Sequence, residues 1–515
     1  MNIKILDCTI RDGGYYNEWD FSQSLINSYL EAVERLPVDY FEIGYRSILQ
    51  SSYHGKYFYS PVFELERIQS ITSKKMVIMI NLKDTRESDL ESLLGLCKRL
   101  ITMVRIAFDP TQLQKAISLA LTIKSMGFEV GFNMMYMTNW KNDSKVYKQL
   151  QEANGVVDYI YMVDSYGGVF PKDIAETMSI LKQNTNIPIG FHGHNNLELA
   201  LVNTLTAIEH GAILIDSTFT GMGRGAGNLK TELLLTVLNH QKNLDVDFNV
   251  LGAVVYQFSE LQKKYGWGTS LPYMFSGVNS LPQKDVMEWV TKRYYSFNSI
   301  IRTLQNKKNA IADNQQLQTF SPQQQFRKAV IVGGGPNASL HASSVLEYLG
   351  LRKDICLIHA SSKNAGFYHS AFQSAFFCLV GNEGHRLENV FNQELNDFIG
   401  QCILPPYPRK MGTYVPTAVK NRSYELPDII FTKLINDSHT VLALQTAIQL
   451  GAIEVELVGY DGYQEGVISQ IEKSLYDEND LIFADFKKYT GIQLKSLTNT
   501  NYKNLLIEPV FSKIQ

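Results

Sequence analysis

Cysteine is sparse in this 515-residue chain, with only Cys8, Cys97, Cys356, Cys378 and Cys402, and none of them in CxxC spacing. That excludes a zinc-knuckle array and offers no disulfide framework. Charge of one sign is missing too: 48 Lys+Arg face 51 Asp+Glu, a net charge of −3. Without an excess of positive charge, no nucleic-acid partner is expected. No run of about 18 apolar residues occurs, so no membrane span is expected. The opening MNIKILDCTIRDGG has no basic segment followed by an apolar one, which speaks against a signal peptide. A soluble, reduced, cytoplasmic protein is the expectation. Core-forming residues are not lacking, for 45% apolar against 19% charged excludes a disordered or fibrous chain. A domain averages about 150 residues, so at least two domains are expected.

Residues 304–327, LQNKKNAIADNQQLQTFSPQQQFR, are rich in Gln and Asn and read as a linker, with a polar helix as the rival reading. Before it, strand-like apolar runs alternate with amphipathic stretches. The runs are 3–10, 39–45, 75–81, 103–108, 129–136, 159–165, 187–195 and 212–220. Eight strand–helix units predict a (β/α)8 TIM barrel with a helical extension over 1–303, rather than an open doubly wound sheet. After the linker, KAVIVGGGPNAS reads as the first strand and glycine turn of a second, Rossmann-like α/β domain over 328–515.

Active sites of such barrels lie at the C-terminal strand ends. Those positions hold Arg11, Asp12, Glu42, Asn81, Arg105, Asn133, Asp164, Ser165, His192, His194 and Asp216. One such residue alone is as well explained by a helix cap or ion pair, but convergence from all eight strands points to a site. Side chains alternate along a strand, so His192 and His194 face one side and can share a metal with the Asp12 carboxylate. Two imidazoles and a carboxylate leave positions open for substrate, as in a Lewis-acid catalyst. With N and O donors and no thiolate, Mn²⁺ or Mg²⁺ is favoured, and Co²⁺ or Zn²⁺ is admissible. Arg11, brought inward if the chain turns at Gly13-Gly14, can bind a 2-oxo acid and stabilise an enolate. A structural ion pair is its other reading. The loop Gly221–Asn228, GMGRGAGN, could cradle a phosphate or carboxylate, though without a Walker lysine.

Together LDCTIRDGG, FHGHNNLELA and DSTFTGMGRGAGN resemble the metal-dependent pyruvate aldolase and hydroxymethylglutaryl-CoA lyase-like superfamily of TIM barrels. The likeness covers residues 3–300 and is tightest to 4-hydroxy-2-oxovalerate aldolase, through GMGRGAGN and GFNMMYM. It implies Asp12, His192 and His194 as metal ligands, with Asn228 a ligand in some members. It also implies that Arg11 steadies an enolate and that Ser165 holds a pyruvate carboxylate, while Asn133 and Arg105, from their place at the strand ends, are expected at the substrate. The chain departs from the pattern where the aldolase carries an acid/base histidine, for that position is Tyr15, and where it carries a late tyrosine, for Phe275 stands there with Tyr273 and Asn279 nearby. Tyr15, Tyr16 or a metal-bound water is the expected proton carrier, on the ground that a cation and an arginine lower a phenol's pKa.

The function expected is a carbon–carbon lyase that joins the enolate of pyruvate, or a related 2-oxo acid, to an aldehyde. A sugar derivative in surface-polysaccharide synthesis is one such aldehyde. A Claisen-type acyl-CoA synthase or lyase on the same barrel is the alternative, and a non-catalytic binding protein the third reading. Only small-molecule partners are expected, with a homodimer conceivable. Over GGGPNAS and VGYDGY the second domain is similar to Rossmann-like sialyltransferase-like and pterin pyrophosphokinase-like domains, while an ordinary glycine turn explains the first motif equally well.

Overall fold

A computed structural model describes residues 3–292, 297–311, 316–368, 374–392, 395, 398–409, 413–433, 438–463 and 470–514. The chain divides into two compact units, Met1–Glu288 and Trp289–Gln515.

In the first unit β1 (Lys4–Asp7), β2 (Tyr40–Tyr45), β3 (Lys75–Asn81), β4 (Met103–Phe108), β5 (Glu129–Met134), β6 (Tyr159–Asp164), β7 (Ile189–Gly193) and β8 (Leu214–Ser217) close into a barrel. Every neighbouring pair is parallel, and β8 returns to β1 with Lys4 opposite Leu214 and Asp7 opposite Ser217. Strands packed both inside and outside read as continuous apolar runs, which is why KMVIMIN is buried from Met76 to Ile80. The outer helices follow their apolar period; Gln23–Arg35, for one, is capped by Ser22, whose Oγ accepts from Leu25 N at 3.4 Å.

Two large side chains fill the middle of the barrel, Tyr161 and Arg105, with the guanidinium 3.8 Å from the ring centroid. Gly190 makes this possible. A Cβ there would come within 2.7 Å of the Tyr161 ring.

The first strand is shorter than the apolar run 3–10 predicts. It ends at Asp7, and Thr9–Asn17 is a helix, α1. The Asp7 carboxylate accepts from Thr9 N at 3.0 Å and fixes the start of this helix. Gly13 and Gly14 therefore do not turn the chain, and their role is close packing. A Cβ on Gly13 would lie 2.6 Å from Met222 Sδ, and one on Gly14 would lie 2.1 Å from the Trp19 ring. Arg11 and Asp12 thus reach the barrel mouth from the first turns of α1.

The second unit is an open, all-parallel sheet of eight strands. They are β9 (Lys328–Val332), β10 (Ile355–His359), β11 (Ala375–Cys378), β12 (Gln401–Leu404), β13 (Ser423–Glu425), β14 (Glu454–Val458), β15 (Gln493–Ser496) and β16 (Leu506–Ile507). Their order is β13-β12-β11-β10-β9-β14-β15-β16. Along β9, Ala329 and Ile331 join one apolar cluster while Val330 and Val332 join another, so both faces of the sheet are covered. Within the segment read as a linker, residues 304–308 end the helix Phe297–Lys308, and residues 312–315 lie outside the described residues. Phe320 and Phe326 are buried in the second unit's core, two apolar anchors in a Gln-rich stretch.

Candidate active site

At the barrel mouth six side chains form a closed ring. His192 Nδ1 lies 2.8 Å from Asp216 Oδ2, which accepts from Arg105 NH2 at 2.6 Å. Arg105 NH1 reaches Glu42 Oε2 at 3.2 Å, and the same oxygen accepts from Arg11 Nε at 2.7 Å. Arg11 NH1 pairs with Asp12 Oδ1, and Asp12 Oδ2 returns to within 3.7 Å of His192 Nε2. The ring sets three carboxyl groups against two guanidiniums and an imidazole in a buried place, since all of these side chains are at most 7% exposed.

These contacts fix the Nδ1 side of each imidazole. His194 Nδ1 lies 2.7 Å from the Asp164 carbonyl, and a carbonyl can only accept, so Nδ1 carries the proton. His192 Nδ1 faces the Asp216 carboxylate in the same way. Each ring is thus anchored through Nδ1, as in a histidine metal ligand, and His192 turns its Nε2 to within 3.7 Å of Asp12 Oδ2. Burial beside His192 pushes His194 down to about 3, so it is neutral at ordinary pH. Burial opposes ionisation of Asp12, but the Arg11 guanidinium outweighs it and, with the Asn228 amide, holds the carboxyl below its ordinary value.

Asn228 completes the set. Its Nδ2 donates to Asp12 Oδ2 at 2.7 Å, while its buried Oδ1 has no hydrogen-bond partner. A buried acceptor without a donor, two imidazole lone pairs and a carboxylate suit a divalent cation. Cys8 is near, with Sγ 3.6 Å from Asp12 Oδ2, but burial drives its thiol well above the ordinary range and keeps it a neutral donor.

The HMGL-like family model matches residues 2–261. The chain belongs to the HMGL-like family. Among relatives of this HMGL-like barrel, 4-hydroxy-2-oxovalerate aldolase of Geobacillus thermodenitrificans is 35% identical over 247 residues, 46% of this chain and 70% of that protein. The Chloroflexus aurantiacus protein of the same name is 32% identical, over 49% of this chain and 74% of its own length. The solved N-terminal domain of a candidate aldolase from Bacteroides vulgatus is 51% identical, with a TM-score of 0.56, over 58% of this chain and 99% of that domain. Family and relatives class the chain as a carbon–carbon lyase.

Around the HMGL-like ring, the expected residues take different places. Ser165 Oγ accepts from Tyr136 N at 2.8 Å, leaving its hydroxyl proton free to donate. Arg105 and Asn133, expected at the substrate, are joined to each other at 2.7 Å, and Arg105, itself part of the ring, is 0% exposed. Tyr15 Oη lies 3.1 Å from Tyr45 Oη. Tyr16 instead donates to the Gly225 carbonyl at 3.3 Å, and burial pushes its phenol up, the reverse of the lowering expected. Tyr273, rather than Phe275, packs against that loop, for a Cβ on Gly225 would lie 3.0 Å from its ring. Asn81 accepts from Lys83 N in a turn and takes no part in the ring.

One residue passed over individually is Arg224. Its guanidinium lies 4.0 Å from the Tyr15 ring centroid, and no carboxylate is within ion-pair distance among the described residues. Its signal in the sequence is that it is the sole charged residue in the loop GMGRGAGN.

Proposed function

We propose that the barrel is a divalent-metal-dependent aldolase that makes or breaks a C–C bond between the enolate of pyruvate, or a related 2-oxo acid, and an aldehyde. The observation that carries this reading is the pair of neighbouring imidazoles, each anchored through Nδ1, with His192 Nε2 3.7 Å from the Asp12 carboxylate. Asp12, His192, His194 and Asn228 would hold the cation, Mn²⁺ or Mg²⁺ by the hardness of the oxygen donors, and its chemistry is Lewis-acid polarisation of the 2-oxo acid.

Arg11 is oriented by Glu42 and Asp12, and its NH2 has no partner among the described residues. That nitrogen is available to an enolate oxygen as negative charge develops there. Ser165 supplies a hydroxyl donor for the substrate carboxylate. Arg105, held by Asn133, keeps Asp216 and Glu42 in place. In the synthetic direction a proton passes from C3 of the 2-oxo acid to water, C3 bonds to the aldehyde carbon, and the resulting alkoxide takes up one proton in return. Tyr15 is the phenol for that last step, because Tyr16 is committed to Gly225. Arg224, stacked on Tyr15 without a carboxylate partner, favours an aldehyde bearing an anionic group. A sugar-derived aldehyde for surface-polysaccharide synthesis fits that polar lining and the presence of a second α/β unit.

The test is exchange of pyruvate methyl protons in D₂O, followed by proton NMR with and without added Mn²⁺. Metal-dependent exchange that is lost in Asp12→Asn supports the assignment. No exchange in the metal-loaded protein overturns it, and consumption of acetyl-CoA with thiol release would favour the acyl-CoA alternative.

A further inference from the structure

The second unit carries polar chemistry that the barrel reaction does not use. From β9 the chain builds the sheet outward to β13, then crosses back to β14 on the other side of β9. At such a reversal successive connections leave on opposite faces, and the crevice between them, at the C-terminal strand ends, is where parallel α/β sheets hold ligands.

That edge collects polar atoms without partners. Asp461 Oδ1 beyond β14, Ser362 Oγ and His359 Nδ1 at the end of β10, and Asn382 Oδ1 beyond β11 are all buried and unbonded. Ser362 is 1% exposed. Native proteins leave few such atoms unpaired, because each forfeits its hydration with nothing in return. The contrast within the unit is informative. Glu456 Oε1, in the middle of β14, and Glu508 Oε2, just past β16, also lack a hydrogen bond, but lysines lie 2.8 and 2.9 Å away. Similarly His439 Nε2 lies 3.5 Å from Glu383 Oε1.

The loops after β9, β10 and β14 are locked together. Asn364 Nδ2 donates to Gly333 O at 3.0 Å and Gly335 O at 3.2 Å, and Asp461 Oδ2 accepts from Asn337 N at 3.0 Å. Any Cβ on Gly335 would lie 2.6 Å from Asp461 Oδ2. Gly334, between them, has an N–H with no partner among the described residues, and its carbonyl accepts from the exposed Lys363 Nζ at 3.0 Å. An ammonium beside a free N–H suits a phosphate; a carboxylate oxygen with hydroxyl and amide groups along the same edge suits sugar hydroxyls.

We propose that this edge binds the phosphate ester of a sugar ring, with Lys363 and the Gly334 N–H on the phosphate and Asp461 on a ring hydroxyl. A free sugar phosphate and a nucleotide offer the same pair of groups.

The test is calorimetric titration of the full chain with glucose 1-phosphate, UDP, UDP-glucose and, as references, inorganic phosphate and glucose. At least one phosphorylated sugar or nucleotide should bind with a Kd below about 1 mM. Lys363→Ala and Asp461→Asn should each weaken it by about tenfold, the loss of one charge-assisted hydrogen bond, while pyruvate proton exchange stays unchanged. Lys363 is exposed, so its variant remains informative even if Asp461→Asn folds poorly. Binding of glucose 1-phosphate without UDP would identify a free sugar phosphate, and the opposite result a nucleotide. No binding, equal affinity for inorganic phosphate alone, or parent-like affinity in Lys363→Ala overturns the proposal.

Discussion

Replacing Asp216 by Asn changes one atom of the ring and almost nothing in volume. The carboxylate is buried, and it bridges Arg105 NH2 at 2.6 Å and His192 Nδ1 at 2.8 Å. Burial works against its ionisation, yet Arg105 and His192 hold it below the ordinary carboxylate value, so the native group is an anion. Neutralising it leaves the wholly buried Arg105 with Glu42 as its only charged partner in the ring. Breaking a buried pair from one side costs about 3–5 kcal/mol. At about 2 °C per kcal/mol for a unit of this size, the melting temperature should fall by roughly 6–10 °C. His192 also loses the charge that orients it, and disturbing such a partner weakens metal binding about 10–100-fold. Thermal unfolding of the metal-free protein reads the first effect and calorimetric Mn²⁺ titration the second. Glu42→Gln should combine non-additively with Asp216→Asn, since both anions act on Arg105. If Asp216→Asn melts within about 1 °C of the parent and binds Mn²⁺ equally well, the ring does not organise the site.

Gly190→Ala should lower the melting temperature through a cost of about 1–3 kcal/mol, because its Cβ would come within 2.7 Å of the Tyr161 ring. Gly252→Ala, inside the helix Phe248–Tyr265 with nothing within 4 Å of the added carbon, should stabilise by about 0.5–1 kcal/mol, and equal melting shifts for the two would contradict the packing account. His359, stacked 4.6 Å from the Phe377 ring, is pushed down to about 3 by burial. The unfolded chain takes up this proton near pH 6.5 and the folded chain only near 3, so stability should fall as pH drops through that window. His359→Leu should reduce the slope of stability against pH there by up to about one proton, read by urea titration at several pH values. Arg224→Met should lower kcat/KM for anionic aldehydes at least about tenfold more than for neutral ones, with pyruvate exchange retained; equal losses for both would remove its part in aldehyde choice.

Much of the barrel is legible because each strand is a continuous apolar run buried on both faces, and eight such runs leave few architectures open. Helix α1 is not legible. TIRDGG has two glycines and no strong helix former beyond Arg11, and it is helical because Asp7, Met222 and Trp19 hold it from outside. The metal-ligand candidates follow from local alternation around His192 and His194. Glu42, Arg105 and Asp216 are visible as strand-end polar residues, but their pairing depends on the register of strands far apart in sequence. In the second unit the strands β9, β10, β11 and β14 stand out as apolar runs. Their spatial order does not, because the jump from β13 back to β14 leaves no local mark.

The two sheets end differently, and this bears on how the chain behaves among copies of itself. A closed barrel exposes no unpaired ladder, whereas an open sheet must stop somewhere. Here it tapers, from five residues in β9 and β14 to three in β13 and two in β16. Leu506 and Ile507 are exposed on the last of these, yet so short a rim offers a neighbouring chain little template for strand addition. Lengthening β16, not enlarging its apolar side chains, is the change that would turn this margin into a nucleus for aggregation.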